Sequence, residues 1–268
     1  MTPDPARVAA LIREAAAAEI MPRFRALADG DIIEKGPGDL VTVADREAER
    51  HLTAAFTALM PGSLVVGEEA AHADAGVLAA LAGEAPCWII DPVDGTANFA
   101  AGKPLFAVMV ALARGGEVVA AWIYDPVADS LTVAEAGAGA YTDGVRLSVA
   151  AGGPPGALIG ATSFKYFPAE LKARARSRVG AFAATHQLRC AGHEYLRIAD
   201  GRWHFSVYHR MLPWDHAPGH LIHREAGGEG AFIDGSRYSV TRHSGGFLSA
   251  PDRDTWRAIR DCLFAEAG

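Results

Sequence analysis

The stretch Trp88-Ile89-Ile90-Asp91-Pro92-Val93-Asp94-Gly95-Thr96-Ala97-Asn98-Phe99 constrains this chain more than any other. An apolar run leads into two carboxylates three residues apart, and Gly-Thr follows at once. Cys87 to Ile90 reads as a buried strand, with Asp91 where it emerges. Pro92 brings no N–H and a locked φ, so it is expected to stop the ladder. Asp94 and Gly95 then turn the chain, since glycine tolerates backbone that other residues resist. Two carboxylates this close repel each other unless a cation lies between them. Oxygen-only ligands suit Mg²⁺, Mn²⁺ or Ca²⁺ rather than zinc. A solvated Asx turn at a strand end accounts for the same residues, and this stretch alone does not decide.

With 268 residues, 50% of them hydrophobic, the chain can bury a sizeable core as one large domain or two fused halves. A net charge of −7 without a long Lys/Arg run argues against a nucleic-acid partner. Cys87, Cys190 and Cys262 are odd in number and form no CxxC pair, which fits free thiols in a reducing cytoplasm. Asp4, Arg7, Arg13 and Glu14 break up the N-terminal alanines, so no signal peptide is expected. No run approaches the roughly 18 apolar residues of a membrane span.

Val8, Leu11, Ile12, Ala15, Ala16, Ile20, Phe24 and Leu27 form a helical stripe, kinked or broken at Pro22. Arg46 to Met60 reads as a helix with Asp45 as N-cap. Leu64–Val66 is a short strand, and Glu68-Glu69 fits a loop or a helical first turn. Leu105–Ala113, Val118–Tyr124, Ser130–Ala134 and Gly137–Val149 form an antiparallel meander. The segment 150–156 marks a boundary between an N-terminal half, 1–149, and a C-terminal half, 150–268, packed as one unit. Strand–helix alternation follows: strands at Ala157–Ala161, Gln187–Cys190, Trp203–Tyr208, Gly230–Asp234 and Gly246–Ser249, helices at Ala169–Phe182, Glu194–Asp200 and Asp254–Glu266. In the helix that Gly227-Gly228 closes, Asp215 is a candidate N-cap and Pro218 falls in the first turn.

Asp45, Glu68, the Asp91/Asp94 pair and Asp215 each stand where a strand ends or a helix begins, and such ends gather at one rim of a layered α/β body. Five converging carboxylates need about two or three divalent cations. Seven of ten histidines fall between His186 and His223. His216, His220 and His223 share a helical face, but no zinc-ligand partner follows at the usual spacing, so they read as partly exposed groups lining a cleft.

Gly67-Glu68-Glu69, Asp91 to Phe99 and Trp214-Asp215-His216-Ala217-Pro218-Gly219 resemble the three metal-site motifs of the inositol monophosphatase family. Leu40–Asp45 is similar to its upstream Asp segment, and Glu225–Gly228 to the close of its Trp-Asp helix. The resemblance implies a layered αβαβα sandwich and a magnesium-dependent, lithium-sensitive, commonly dimeric phosphatase of a small phosphorylated metabolite. It implies a first Mg²⁺ on Glu68, Asp91 and the Val93 carbonyl, and a second on Asp91, Asp94 and Asp215. A third would rest on Glu68 and, through water, Asp45. Gly95 and Thr96 N–H groups would grip phosphate, while Thr96 and Glu68 orient and deprotonate the attacking water. Asp94, Glu194 and Asp215 are its substrate contacts, and Lys35 matches a lysine near the metals.

The substrate side departs from the inositol pattern. Gly192 is followed by His193, Glu194 and Tyr195, where inositol-hydrolysing members carry small residues, and Tyr208 stands near the position of their inositol-binding glutamate. The Gly-His-Glu-Tyr run is loosely similar to histidinol-phosphate phosphatases. A 3′-phosphoadenosine-5′-phosphate phosphatase is a further alternative. There Lys172, Arg174, Arg176 and Arg178 would meet a second phosphate, although a solvated helix face explains those four too. A silent relative that only binds a phosphometabolite is the non-enzymatic alternative, and no carboxylate of the five is missing.

Overall fold

The computed structural model describes residues 3–28, 30–36 and 39–266, with only the backbone of Lys35 and Asp39. Helix α1 (Pro5–Ala15) opens on Asp4, whose carboxylate accepts the Ala6 N–H at 2.9 Å. A π turn over Ala16–Ile20 and a 3₁₀ turn over Met21–Arg23 then end the helical run. Pro22 is the cause, since it brings no N–H and its ring crowds the carbonyl four residues back.

Strands β1 (Ile32–Gly36) and β2 (Asp39–Thr42) lead into α2 (Val43–Leu59). Thr42, not Asp45, is the cap. The helix starts earlier than expected, and Asp45 closes a capping box by accepting the Thr42 N–H at 2.7 Å. Next come β3 (Leu64–Gly67) and α3 (Glu68–Ala73), so Glu68-Glu69 open a helix. Then follow β4 (Cys87–Asp94), α4 (Thr96–Ala100), β5 (Ala107–Arg114), β6 (Glu117–Asp125), β7 (Ser130–Glu135), β8 (Gly139–Thr142) and β9 (Val145–Arg146). These strands lie side by side in chain order from β3 to β9, with β3 parallel to β4 and every later neighbour antiparallel.

After Gly156 the chain builds a second sheet from β10 (Ile159–Thr162), α5 (Ala169–Arg178), β11 (Ala184–His186), α6 (Ala191–Ala199), β12 (Phe205–Arg210), α7 (Pro213–Glu225), β13 (Glu229–Phe232), β14 (Ser244–Ala250) and α8 (Arg253–Phe264). Its order is β11-β10-β12-β14-β13. Gln187–Cys190 is not the strand expected of it. The Leu188 N–H turns away to Glu194, and Arg189 takes left-handed backbone at φ +59°.

Strand β4 shows how the layers form. Trp88 and Ile90 pack with Val8, Ile12, Leu52 and Phe56 of α1 and α2, and Phe56 stacks on Trp88 at 4.4 Å. Cys87 and Ile89 face Tyr195, Leu221 and Ile222 of α6 and α7, which also meet Phe232 and Phe247 of the second sheet. The far side of that sheet buries Phe205 and Leu248 against Trp256, Ile259 and Leu263 of α8. The result is an αβαβα sandwich, and β4, covered on both faces, reads as a continuous apolar run.

Helix α7 begins at Pro213, whose preset φ suits a first helical position. Asp215 therefore sits inside the first turn rather than capping it, and Pro218 lies within the helix. The three histidines of α7 are not partly exposed: His216, His220 and His223 are buried in the layer between the sheets. Burial pushes them down to about 3, 3 and 4, which keeps them neutral. No described helix is long and apolar enough to cross a membrane.

Candidate active site

Pro92 does not end β4. Asp91 pairs with Met109 and Asp94 with Ala107, so β4 carries one residue more than β5 over this interval. Proline is tolerated at such a bulge because no ladder donor is required of it. Residues three apart on a regular strand point to opposite faces. The extra residue resets that alternation, and Asp91, Asp94 and Asp215 bring carboxylate oxygens within 4.8 Å of one another.

Gly95 follows at φ +90°, and α4 starts at Thr96. A side chain at Gly95 would meet Leu105 O at 3.0 Å and Cys190 Cβ at 3.2 Å, so glycine is required there for space as well as conformation. Asn98 is buried and donates to Leu105 O at 2.9 Å and Leu188 O at 3.0 Å, which ties the 188–190 loop to the motif. Thr96 Oγ1 lies 3.0 Å from Asp45 Oδ1 and 3.0 Å from Val93 O, and its single proton serves one at a time.

Burial dominates the electrostatics. Asp91 is 1% exposed, and burial followed by the charges of Glu68, Asp94 and Asp215 pushes its carboxyl well above the usual range. Asp94 is raised by burial too, although it accepts the Ala191 N–H at 3.1 Å, the Gly192 N–H at 2.6 Å and the Cys190 thiol at 3.0 Å. Asp94 thus serves the N-terminus of α6 from outside the helix, in the anion position such an end favours. Burial raises Asp45 to about 6 and Glu194 to about 7. Glu194 accepts the Leu188 N–H at 2.6 Å and the Tyr208 hydroxyl at 2.5 Å.

Glu68, Asp91, Val93, Asp94, Gly95, Thr96, Glu194, Tyr208 and Asp215 line one cleft of about 240 Å³. Asp45 lies behind Thr96. Tyr208 stands where a difference from inositol-hydrolysing members is expected, and its hydroxyl holds a carboxylate, that of Glu194, in the cleft wall. His193 does not join the site: its Nε2 lies 3.2 Å from Phe106 O and 3.6 Å from Asp125, in a neighbouring hollow. The Lys35 side chain falls outside the described residues. Arg174 and Arg178 do not face the cleft either; they reach the carbonyls of Phe264 and Ala265 at 3.0 and 2.7 Å, at the C-terminal end of α8.

Sequence reasoning missed Glu49, Asn98, Lys165, Arg189, Cys190 and Arg210. Glu49 had a signal, an acid on the buried stripe of α2 between Ala48 and Leu52. The cleft cations had none, because only the fold brings them to Asp91 and Asp94.

The oxygen-only donor set, its convergence and its burial fit hard divalent cations such as Mg²⁺. The fold and site are those of a metal-dependent phosphatase class. The chain belongs to the inositol monophosphatase family, whose sequence profile matches residues 5–264. It is 34% identical to the inositol-1-monophosphatase of Mesorhizobium japonicum over 221 residues, 76% of each chain. It is 33% identical to the fructose-1,6-bisphosphatase/inositol-1-monophosphatase of Thermotoga maritima over 74% of each, and 30% to the Nus factor SuhB of Escherichia coli over 78% of each. Among solved structures it is similar to an IMPase of Thermotoga maritima, with a TM-score of 0.79, 25% identity, and 95% of this chain and 96% of that one covered.

Proposed function

We propose that this protein is a magnesium-dependent phosphatase that hydrolyses a phosphate monoester of a small alcohol by direct attack of water. The convergence of Asp91, Asp94 and Asp215 beside the Gly95-Thr96 turn carries the reading. Glu68, Asp91 and the Val93 carbonyl would hold one Mg²⁺, and Asp91, Asp94 and Asp215 a second. Glu68, with Asp45 through water, would support a third. Bound there, such ions acidify water and neutralise the phosphoryl oxygens and the leaving alkoxide.

The chain's own groups do the rest. Thr96 and Glu68 orient the attacking water and take its proton, and Asp45, accepting from the Thr96 hydroxyl at 3.0 Å, fixes that hydroxyl. Gly95 and Thr96 direct backbone N–H groups at the phosphate oxygens. A covalent route through Cys190 is disfavoured, because burial holds its thiol protonated against Asp94. A dimer, a cytoplasmic location and lithium inhibition belong to the same reading.

The test is phosphate release from inositol-1-phosphate, histidinol phosphate, fructose-1,6-bisphosphate and 3′-phosphoadenosine-5′-phosphate, with Mg²⁺ and with EDTA. Release from at least one substrate that stops with EDTA is expected. Release indifferent to EDTA, or none at all, overturns the reading.

A further inference from the structure

The cleft carries charges of both signs. Lys165, Arg189 and Arg210 line it together with Glu68, Asp91, Asp94 and Asp215. Among the described residues none of these three cations forms an ion pair with a carboxylate. Unpaired cations gathered in one cleft of a chain with net charge −7 call for an anion supplied from outside.

Their placement is built into the fold. Tyr166 carries Arg210 Cζ at 4.0 Å and Lys165 Nζ at 5.0 Å from its ring centroid, so both charges are held beside one half-exposed aromatic. Tyr208, His209 and Arg210 at the end of β12 all line the cleft, beside the point where β14 carries one residue more than β12 between the Tyr208–Phe247 and Arg210–Ser244 pairs. The Arg210 carbonyl accepts from His216 Nε2 at 2.9 Å, which anchors the end of that strand. Arg189 occupies left-handed backbone at φ +59°, a conformation glycine favours, and its carbonyl accepts from Asn98 at 3.3 Å.

We infer that the substrate carries a second anionic group, a phosphate or a carboxylate, and that Lys165, Arg189 and Arg210 bind it. This rests on the phosphatase reading, in which the reacting phosphate lies by Asp91, Asp94 and Asp215 with Gly95 and Thr96. A neutral polyol phosphate would leave all three cations unmatched, whereas a bisphosphate or phosphocarboxylate pairs with them through charge-assisted hydrogen bonds.

The test compares kcat/KM for fructose-1,6-bisphosphate and 2-phosphoglycerate with that for inositol-1-phosphate, in the wild type and in Arg210→Gln, Lys165→Gln and Arg189→Gly. The last variant removes the side chain while suiting the left-handed backbone. The wild type is expected to prefer one doubly anionic substrate by about tenfold or more, and each variant to lower that ratio about tenfold through KM. Whichever of the two is preferred identifies the second group as phosphate or carboxylate. A wild type without this preference, or a ratio unmoved by all three variants, overturns the inference. Absence of turnover on every substrate is a failure of the phosphatase reading instead. Calorimetric titration of fructose-1,6-bisphosphate, 2-phosphoglycerate and inositol-1-phosphate in Ca²⁺ then reads the same ratio without catalysis, and equal affinities overturn the inference.

Discussion

The Glu49 carboxylate fills the space that any side chain at Gly67 would need. A Cβ there would collide with the Glu49 carboxyl carbon and both of its oxygens. From that position Glu49 accepts the N–H groups of Glu69 and Ala70, both at 2.8 Å, and so anchors the first turn of α3, which begins with Glu68. Gly67→Ala should displace this carboxylate, lower stability by roughly 1–3 kcal/mol and raise the Mg²⁺ concentration needed for half-maximal phosphate release. Glu49→Gln should shift the Mg²⁺ dependence the same way, since one acceptor becomes a donor facing an N–H. Thermal unfolding and a Mg²⁺ titration read both effects. An unaltered Mg²⁺ dependence in both variants would show that Glu49 does not position Glu68.

Asp91→Asn should abolish turnover and leave the fold intact. In EDTA it should also gain stability over the wild type as pH rises. The sign follows from linkage: a carboxyl whose folded pKa is raised contributes fully below its unfolded value near 4 and loses that contribution as pH rises through the folded value. Each tenfold change in proton affinity on folding is worth about 1.4 kcal/mol, and asparagine has no charge to lose. Denaturant midpoints at pH 5 and pH 8 check this; a gap that does not widen with pH would falsify the account of Asp91 burial.

Tyr208→Phe removes the hydroxyl that donates to Glu194. Tyr208 lowers the Glu194 pKa, so its loss should raise that value above about 7 and cost roughly 1–2 kcal/mol of stability. A carboxyl ¹³C titration of Glu194 measures the change. No movement would mean that the hydroxyl does not hold the carboxylate in the cleft wall.

His223 predicts an acid sensitivity unconnected with the cleft. Burial lowers it from 6.5 to about 4, and neither ring nitrogen has a hydrogen-bond partner among the described residues. The folded state therefore binds fewer protons than the unfolded one between those values. The stability is present above pH 6.5 and drains away as pH falls towards 4. From pH 6.5 to pH 5 the loss for this group is at most about 2 kcal/mol. His223→Leu should narrow the difference in unfolding free energy between pH 7 and pH 5 by that amount. An unchanged difference would rule out His223 as a source of the acid sensitivity.

Much of the candidate metal site is legible in the sequence because its signals are local. An apolar run, a proline, a glycine and three acids at element ends follow from propensity and spacing. Even so, Asp45 and Asp215 are not the caps that their positions suggest, because Thr42 and Pro213 start their helices earlier. The histidines of α7 mislead in another way. Helical spacing shows that His216, His220 and His223 share a face, but not that a second sheet covers it.

Strand β4 and the turn after it show where that limit lies. From the sequence alone, Trp88 to Phe99 determined a buried strand, two acids and a glycine turn, all set by the chemistry of neighbouring residues. Only the tertiary structure decided that Asp91 and Asp94 point the same way, since that depends on the extra residue β4 carries opposite β5. It also decided that Lys165, Arg189 and Arg210 share a cleft with them. Side chains so distant in sequence meet only when two sheets close on a shared helical layer, and no local pattern records that closure.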